Sequence, residues 1–416
     1  MKFNKWTVAL AAAGLVSIGH NAQAEEGYIS ALSKTTLSGF VDTSLSISEK
    51  SSATALPGRV AYQGAEKMNG FNLDVVQISL ESPLDESDWA AGYKVDLLFG
   101  PDAGAYDASG LGIRQAYVNA RVPVGNGLDL KLGVFDAIIG YEGFSNRDNP
   151  NYSRNMAYNL QPFNHTGLLA GYQVNENIGL QFGAANTSRN IVNDRNRNLF
   201  NEDENNGDVA WMGSISLTAP DSLGPLEGAT LYGGVLKGQM GNGLAMPGVL
   251  GALAGNVDQD TGDIDVDGVV DDLGIVGGDA VDQVNYYVGA TLPTPIEGLS
   301  LGAAWDHIED VSGTQGDDAD LYALYASYQA TDKMSLHGRV EWLDGDHGVL
   351  ISSENANGDP VDDEMLALTA TVQYDLWDNV LTRAEVRWDQ QEGSGDGLYD
   401  GDDDILTFTL NAIYSF

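Results

Sequence analysis

The 416-residue chain contains no cysteine, so neither disulfides nor thiolate metal sites can hold it together. Basic residues are scarce: 20 Lys and Arg stand against 60 Asp and Glu, a formal net charge of −40. That balance repels phosphate backbones and argues against nucleic acid as a partner. From Gly238 to Asp332 there is no Lys or Arg at all. Beyond residue 24 no apolar run reaches the roughly 18 residues of a membrane helix, which excludes a helical bundle. Linkers rich in Pro or Ser and exact internal repeats are also missing, which favours one continuous domain. Histidine is sparse too. After residue 24 only His165, His307, His337 and His347 remain, and none sits in a nucleophile motif. The one conceivable catalytic pair is Ser153 with His165, so the chain is not expected to be an enzyme.

What is present reads as a β protein. Hydrophobic residues make up 43% of the chain and there are 51 Gly and 18 Tyr, yet the mean hydropathy is −0.18, so apolar residues must be interleaved with polar ones. At the amino terminus Lys2 and Lys5 precede the apolar run Trp6 to Ile18, and Ala22-Gln23-Ala24 supplies a small-residue cleavage site. Together they describe a secretory signal peptide over 1–24, with a mature chain of 25–416. Removing Lys2 and Lys5 leaves 18 basic against 60 acidic residues, or −42.

The stretch Ile405 to Phe416 alternates most plainly. Leu406, Phe408, Leu410, Ala412, Tyr414 and Phe416 share one face of a strand, while Thr407, Thr409, Asn411 and Ser415 take the other. A strand ending on an aromatic suits a closed barrel, whose last strand must pair with its first. It resembles the carboxyl-terminal signature that the barrel-assembly machinery of the bacterial outer membrane reads. Period-two segments recur from Leu37 to Phe416 and predict a transmembrane antiparallel up-and-down β-barrel of about 16 strands, each of about 8 to 12 residues. Connectors alternate between short turns and long segments at 49–70, 100–111, 136–166, 188–207, 238–282, 309–319, 344–363 and 390–404. Short periplasmic turns and long extracellular loops are the expected counterpart. Trp89, Trp211, Trp305, Trp342, Trp377 and Trp388 all fall near predicted strand ends or in turns, as two interfacial girdles require.

A barrel of this size encloses water. By parity Lys94, Arg121 and Lys131 face the lumen, as do His337, Arg339 and Glu341 on one strand and Arg383, Glu385, Arg387 and Asp389 on another. Arg114 has the opposite parity and is expected at the loop end. These charges either divide the wall into a basic and an acidic side, setting a transverse field, or neutralise one another as bracing Arg–Glu pairs.

The third long segment contains Gly140-Tyr141-Glu142, Asn149-Pro150-Asn151-Tyr152-Ser153-Arg154, Gln161-Pro162-Phe163 and His165-Thr166-Gly167. These motifs resemble the corresponding region of the OmpL-like β-barrel porin family over about 50 residues with the flanking strands. The resemblance implies a bacterial outer-membrane porin that passes small hydrophilic solutes, sits among lipid and lipopolysaccharide, and forms a homotrimer as general porins do. By analogy with such porins this loop narrows the lumen, with Glu142, Arg147, Tyr152 and Arg154 as constriction residues; a surface loop held by Asn and Pro turns is the alternative. The fifth long segment holds Asp263, Asp265, Asp267 and Gly268, which imitate the start of a calcium loop, but its twelfth position is Gly274 rather than Glu. Weak divalent screening of this repulsive loop, by weakly bound calcium and with the further option of bridging to lipopolysaccharide phosphates, is therefore expected, and a tight calcium site is the alternative. The reading adopted is a passive diffusion porin without cofactor; a substrate-specific channel or receptor barrel, and a secreted β-rich surface adhesion protein, are the alternatives.

Overall fold

Sixteen antiparallel strands pair in chain order, and β1 (Thr36–Ser48) closes on β16 (Asp404–Ser415) to make a barrel without edges. This is a computed structural model; it describes residues 34–48, 67, 69–85, 87–105, 111–188, 192–193, 209–239, 282–311, 316–346, 363–392 and 403–416. The leader, His347 and the aspartates Asp263, Asp265 and Asp267 lie outside the described residues. Between the closing strands run β2 (Gly70–Ser82), β3 (Ala90–Phe99), β4 (Leu111–Val122), β5 (Leu128–Asp136), β6 (Asn164–Asn175), β7 (Ile178–Ala185), β8 (Ala210–Thr218) and β9 (Thr230–Gln239). The second half follows with β10 (Asp282–Pro293), β11 (Leu299–Glu309), β12 (Ala319–Gln329), β13 (Met334–Gly345), β14 (Asp363–Trp377) and β15 (Val380–Glu392).

The reason for this fold lies in the alternation. On β16 Leu406, Phe408, Leu410 and Tyr414 are exposed on the outer surface, whereas Thr407, Thr409 and Asn411 are buried inside. On this strand the outer face is therefore apolar, as hydrocarbon demands, and the backbone pairs with β1 on one side and β15 on the other. Trp89 and Trp377 are exposed at the short-turn end of the barrel, with Tyr414 and Phe416 beside them. At the loop end Trp305 donates to Asp320 at 2.9 Å and Trp388 to Asp404 at 2.8 Å, fixing the indole rings at the other boundary.

Two irregularities in register alter the parity reading. Between β3 and β4, Asp96 pairs with Gln115 and Leu97 with Ile113, so the register skips Arg114 as an inserted residue. The bulge turns it inward, where it is buried and bonded to Asp136. The expectation that Arg114 has the wrong parity for the lumen is thus corrected, because a bulge reverses the alternation at that point. Between β1 and β2 the same happens at Asp74, since Asp42 pairs with Val75 and Thr43 with Leu73.

The interior is largely occupied. The connector between β5 and β6, residues 137–163, enters the barrel and packs against its wall in three places. Ile138 and Ile139 join Leu169, Met212, Tyr232, Leu236, Tyr287 and Tyr325 on the β6–β12 side. Met156 and Ala157 join Ile308, Leu321, Leu343, Met365 and Ile405 near the loop end. Phe144 joins Phe40, Val75, Leu98 and Ile413 at the closure.

That closure depends on one glycine. Gly39 and Phe416 exchange two backbone hydrogen bonds of 3.0 Å, and a Cβ on Gly39 would lie 2.6 Å from the Phe416 ring and against the Gln77 carbonyl. Replacing Gly39 by Val is expected to cost about 1–3 kcal/mol by overpacking. The measurement is the temperature at which the folded gel mobility is lost on heating, and an unaltered temperature would contradict this account of closure.

Candidate functional site: the loop inside the lumen

Residues 137–163 are held inside the barrel by backbone-directed hydrogen bonds from charged wall residues. Glu385 on β15 accepts from the amides of Tyr152 at 2.6 Å and Ser153 at 2.9 Å, and from the Thr371 hydroxyl at 2.8 Å. Glu341 on β13 accepts from the Met156 amide at 2.6 Å. The guanidinium of Arg383 donates to the carbonyls of Asn146 and Asn149 at 2.7 and 2.6 Å. Arg387 donates to the Arg154 carbonyl at 2.7 Å and pairs with Asp389 at 2.8 Å. Arg339 reaches furthest, pairing with Glu142 and Glu341 at 2.7 Å each and donating to the Ser153 and Arg154 carbonyls. Charge-assisted bonds of this kind are the stronger ones, and here the loop's turn carbonyls and amides take the place of water.

Arg339, Glu341, Arg383, Glu385 and Arg387 are all buried beneath the loop. Of the two arrangements open to these charges, β13–β15 adopt the braced one, in which guanidinium and carboxylate face each other and the loop. His337, lower on β13, is also buried and bonds Ser327 and Ser335 at 2.9 and 3.0 Å.

The loop candidates divide. Glu142 accepts from the Asn155 amide at 3.0 Å as well as from Arg339, so it ties the loop's two limbs together and to the wall. Arg154 donates to the Phe144 and Tyr152 carbonyls and lies over the Tyr158 ring. Tyr152 donates to Ser44 and Asp74 at 3.1 and 3.0 Å, and burial beside Asp74 pushes its phenol well above the usual range, so it stays a neutral donor. Arg147 differs from these three: its side chain is 45% exposed and pairs with Asp148 at 3.2 Å. Beyond Tyr152, Lys67 from the first long connector bridges Asp74 at 2.9 Å and Asp102 from the second. Burial pushes the Asp102 carboxyl up to about 8 against the pull of Lys67. Three connectors thus meet at Asp74.

Open space remains on the opposite wall. A cavity of about 260 Å³ is lined by Lys94, Asp96, Arg114, Lys131, Asp136, Arg147 and Asp148 among others. A second, also about 260 Å³, reaches the short turns at Pro83 and Asn126 and is lined by Arg121, Asp129, Lys94 and Lys131. Both are bounded by Glu81, Lys94, Tyr117, Lys131, Leu169 and Gln181, so they meet there. Glu81, Tyr117 and Gln181 were not singled out by sequence, though their positions alternate with lipid-facing neighbours. Arg114 and Asp74 are hidden by bulges, and Lys67 and Asp102 lie in connectors without periodicity. Ser153 and His165 do not form a catalytic pair: the Ser153 hydroxyl takes hydrogen bonds from Arg339 and Arg387, while His165 packs against Phe135. Among the described residues no group of His, Asp or Glu could hold a metal.

Glu385→Ala leaves two buried loop amides without acceptors and is expected to cost about 3 kcal/mol. The readout is the thermal transition of the folded barrel. A transition matching that of the parent protein would mean that the loop is not held there.

The fold has counterparts. The structure of the anion-selective porin from Comamonas acidovorans matches with a TM-score of 0.54 at 13% identity, covering 92% of this chain and 99% of that one. The outer membrane channel DcaP of Acinetobacter baumannii matches with a TM-score of 0.56 at 14% identity, over 92% and 97% of the two chains. OmpF of Salmonella typhi, solved with daunomycin, matches with a TM-score of 0.55 at 12% identity, over 92% and 97%. At these identities the likeness establishes the barrel alone. No curated protein matches the sequence. A family model, however, matches residues 34–416, which include all sixteen strands, and the chain belongs to that family, described as "Putative beta-barrel porin-2, OmpL-like".

Proposed function

We propose that this outer-membrane porin conducts small hydrophilic solutes and ions by passive diffusion, without covalent chemistry. The observation that carries the reading is the pair of joined polar cavities along β2–β7, which run from beside Arg147 and Asp148 to the short turns. Lys94, Arg121, Lys131 and Arg147 are pore-lining residues in this reading. Arg339, Glu341, Arg383, Glu385 and Arg387 shape the pore indirectly, by pressing the loop against the far wall. Glu142, Tyr152 and Arg154 hold the constriction without touching solute.

The localisation follows from the family and the apolar outer face, with residues 1–24 as the export signal, lipid and lipopolysaccharide around the barrel, and the barrel-assembly machinery as its inserting partner. A homotrimer is proposed by likeness to OmpT of Vibrio cholerae, of which a trimer form is solved. Weak calcium binding by Asp263, Asp265 and Asp267 stays a proposal from sequence.

A substrate-specific channel is the second reading, favoured by the narrowness of the space that the loop leaves. Conductance in planar bilayers and swelling of proteoliposomes separate the two. A diffusion porin gives current that rises linearly with salt and swelling rates that fall smoothly with sugar size. Saturation with one solute would support the specific channel, and an intact barrel that passes neither ions nor sugars would overturn both.

A further inference from the structure

The junction of the two cavities has a composition of its own, and each member has a distinct bonding state. Most carboxylates around the passage are already matched by arginine. Arg121 holds Asp129 through two bonds of 2.7 Å, Arg114 holds Asp136 at 2.6 and 3.1 Å, and Arg147 pairs with Asp148 at 3.2 Å. Asp96 takes a hydrogen bond from Gln115 at 2.9 Å. Lys94 lies 3.5 Å from Glu81 and 3.9 Å from Asp96, two loose contacts. Lys131 has no carboxylate within 4.0 Å among the described residues; its ammonium lies 5.1 Å from the centre of the Tyr117 ring. Gln181, buried in the wall, accepts from Ser214 through its carbonyl oxygen at 3.1 Å, leaving its amide nitrogen for the passage. Leu169 supplies an apolar patch beside them.

We infer that this junction is a low-affinity binding site for small monocarboxylate anions, formed by Lys131, Gln181 and Tyr117 as donors, Leu169 as the apolar floor and Glu81 as a gate against a second negative charge. The inference rests on the channel reading above. An ammonium with no carboxylate in direct ion-pair contact keeps a coordination position for an anion, and the amide and phenol can complete the shell of one carboxylate group. Leu169 accommodates a short aliphatic body, the usual division of a small-molecule site into apolar floor and a few polar fixers. Glu81 repels the distal carboxylate of a dianion, because specificity needs an unfavourable element as well as a favourable one.

The test uses the full-length folded protein in planar bilayers under a gradient of potassium acetate, with the acetate-to-potassium permeability ratio read from the reversal potential. Lys131→Gln is expected to lower that ratio about fourfold, the effect of one unit charge at ~5 Å in water. Lys131→Arg keeps it. Lys333→Gln, the same charge loss in the turn between β12 and β13, leaves it unchanged. Glu81→Gln raises the permeability of succinate relative to acetate. If Lys131→Gln fails to reach the folded gel mobility, Gln181→Leu reads the same junction, again with a lowered ratio expected. A ratio unmoved by Lys131→Gln or Gln181→Leu, or moved equally by Lys333→Gln, overturns the site while leaving a conducting channel in place. A succinate preference untouched by Glu81→Gln overturns the gate. An intact wild-type barrel without current overturns the channel reading itself, which is a separate result.

Discussion

In hydrocarbon an unpaired peptide group costs several kcal/mol, and every other property of this molecule follows from avoiding that cost. The strands satisfy one another laterally, and the last pair, β1 with β16, leaves no edge. Once the sheet is closed, alternate side chains have nowhere to go but inward. Polar residues at those positions are then compelled to find partners in a confined, partly wet interior. The inward face is crowded with charge for this reason, and the outer face is nearly free of it through the membrane's thickness.

The connector 137–163 answers the same requirement from the other side. A segment of turns with little regular structure carries many backbone groups that lack partners of their own. Placed against a wall of arginine and glutamate, those groups become acceptors and donors for the wall. Arg383 takes two carbonyls and Glu385 two amides, so each party satisfies the other. The alternative, two faces each hydrated separately, would need the width that the loop instead occupies. Occlusion of one half of the lumen and openness of the other are one consequence of where the guanidinium groups lie.

Strand placement was legible in the sequence because the membrane enforces period two on the outer face of the strands. Ile405 to Phe416 reads correctly residue by residue. Parity also identified Arg339, Glu341, Arg383, Glu385 and Arg387 as inward. It could not reveal that they meet loop backbone rather than water, since Arg383 and Asn146 are 237 residues apart and carbonyl groups carry no sequence signal. Bulges were equally invisible. A single inserted residue turns Arg114 and Asp74 inward, and nothing in their neighbours announces it. The family likeness of Asn149 to Arg154 falls on the loop that enters the barrel, yet the side chains that look most chemical there, Glu142 and Arg154, bond the loop's own backbone.

The separation along the chain between the loop and its anchors gives this arrangement a history. The loop belongs to the first half of the sequence, whereas its anchors sit on β13 to β15, near the carboxyl terminus. Contacts this remote form late, after the intervening chain has been organised. Until those strands are in place, the segment has no wall against which to settle. Narrowing of the passage therefore belongs to the final stage of biogenesis, and a barrel truncated before β13 would be deprived of its plug as well as its seam.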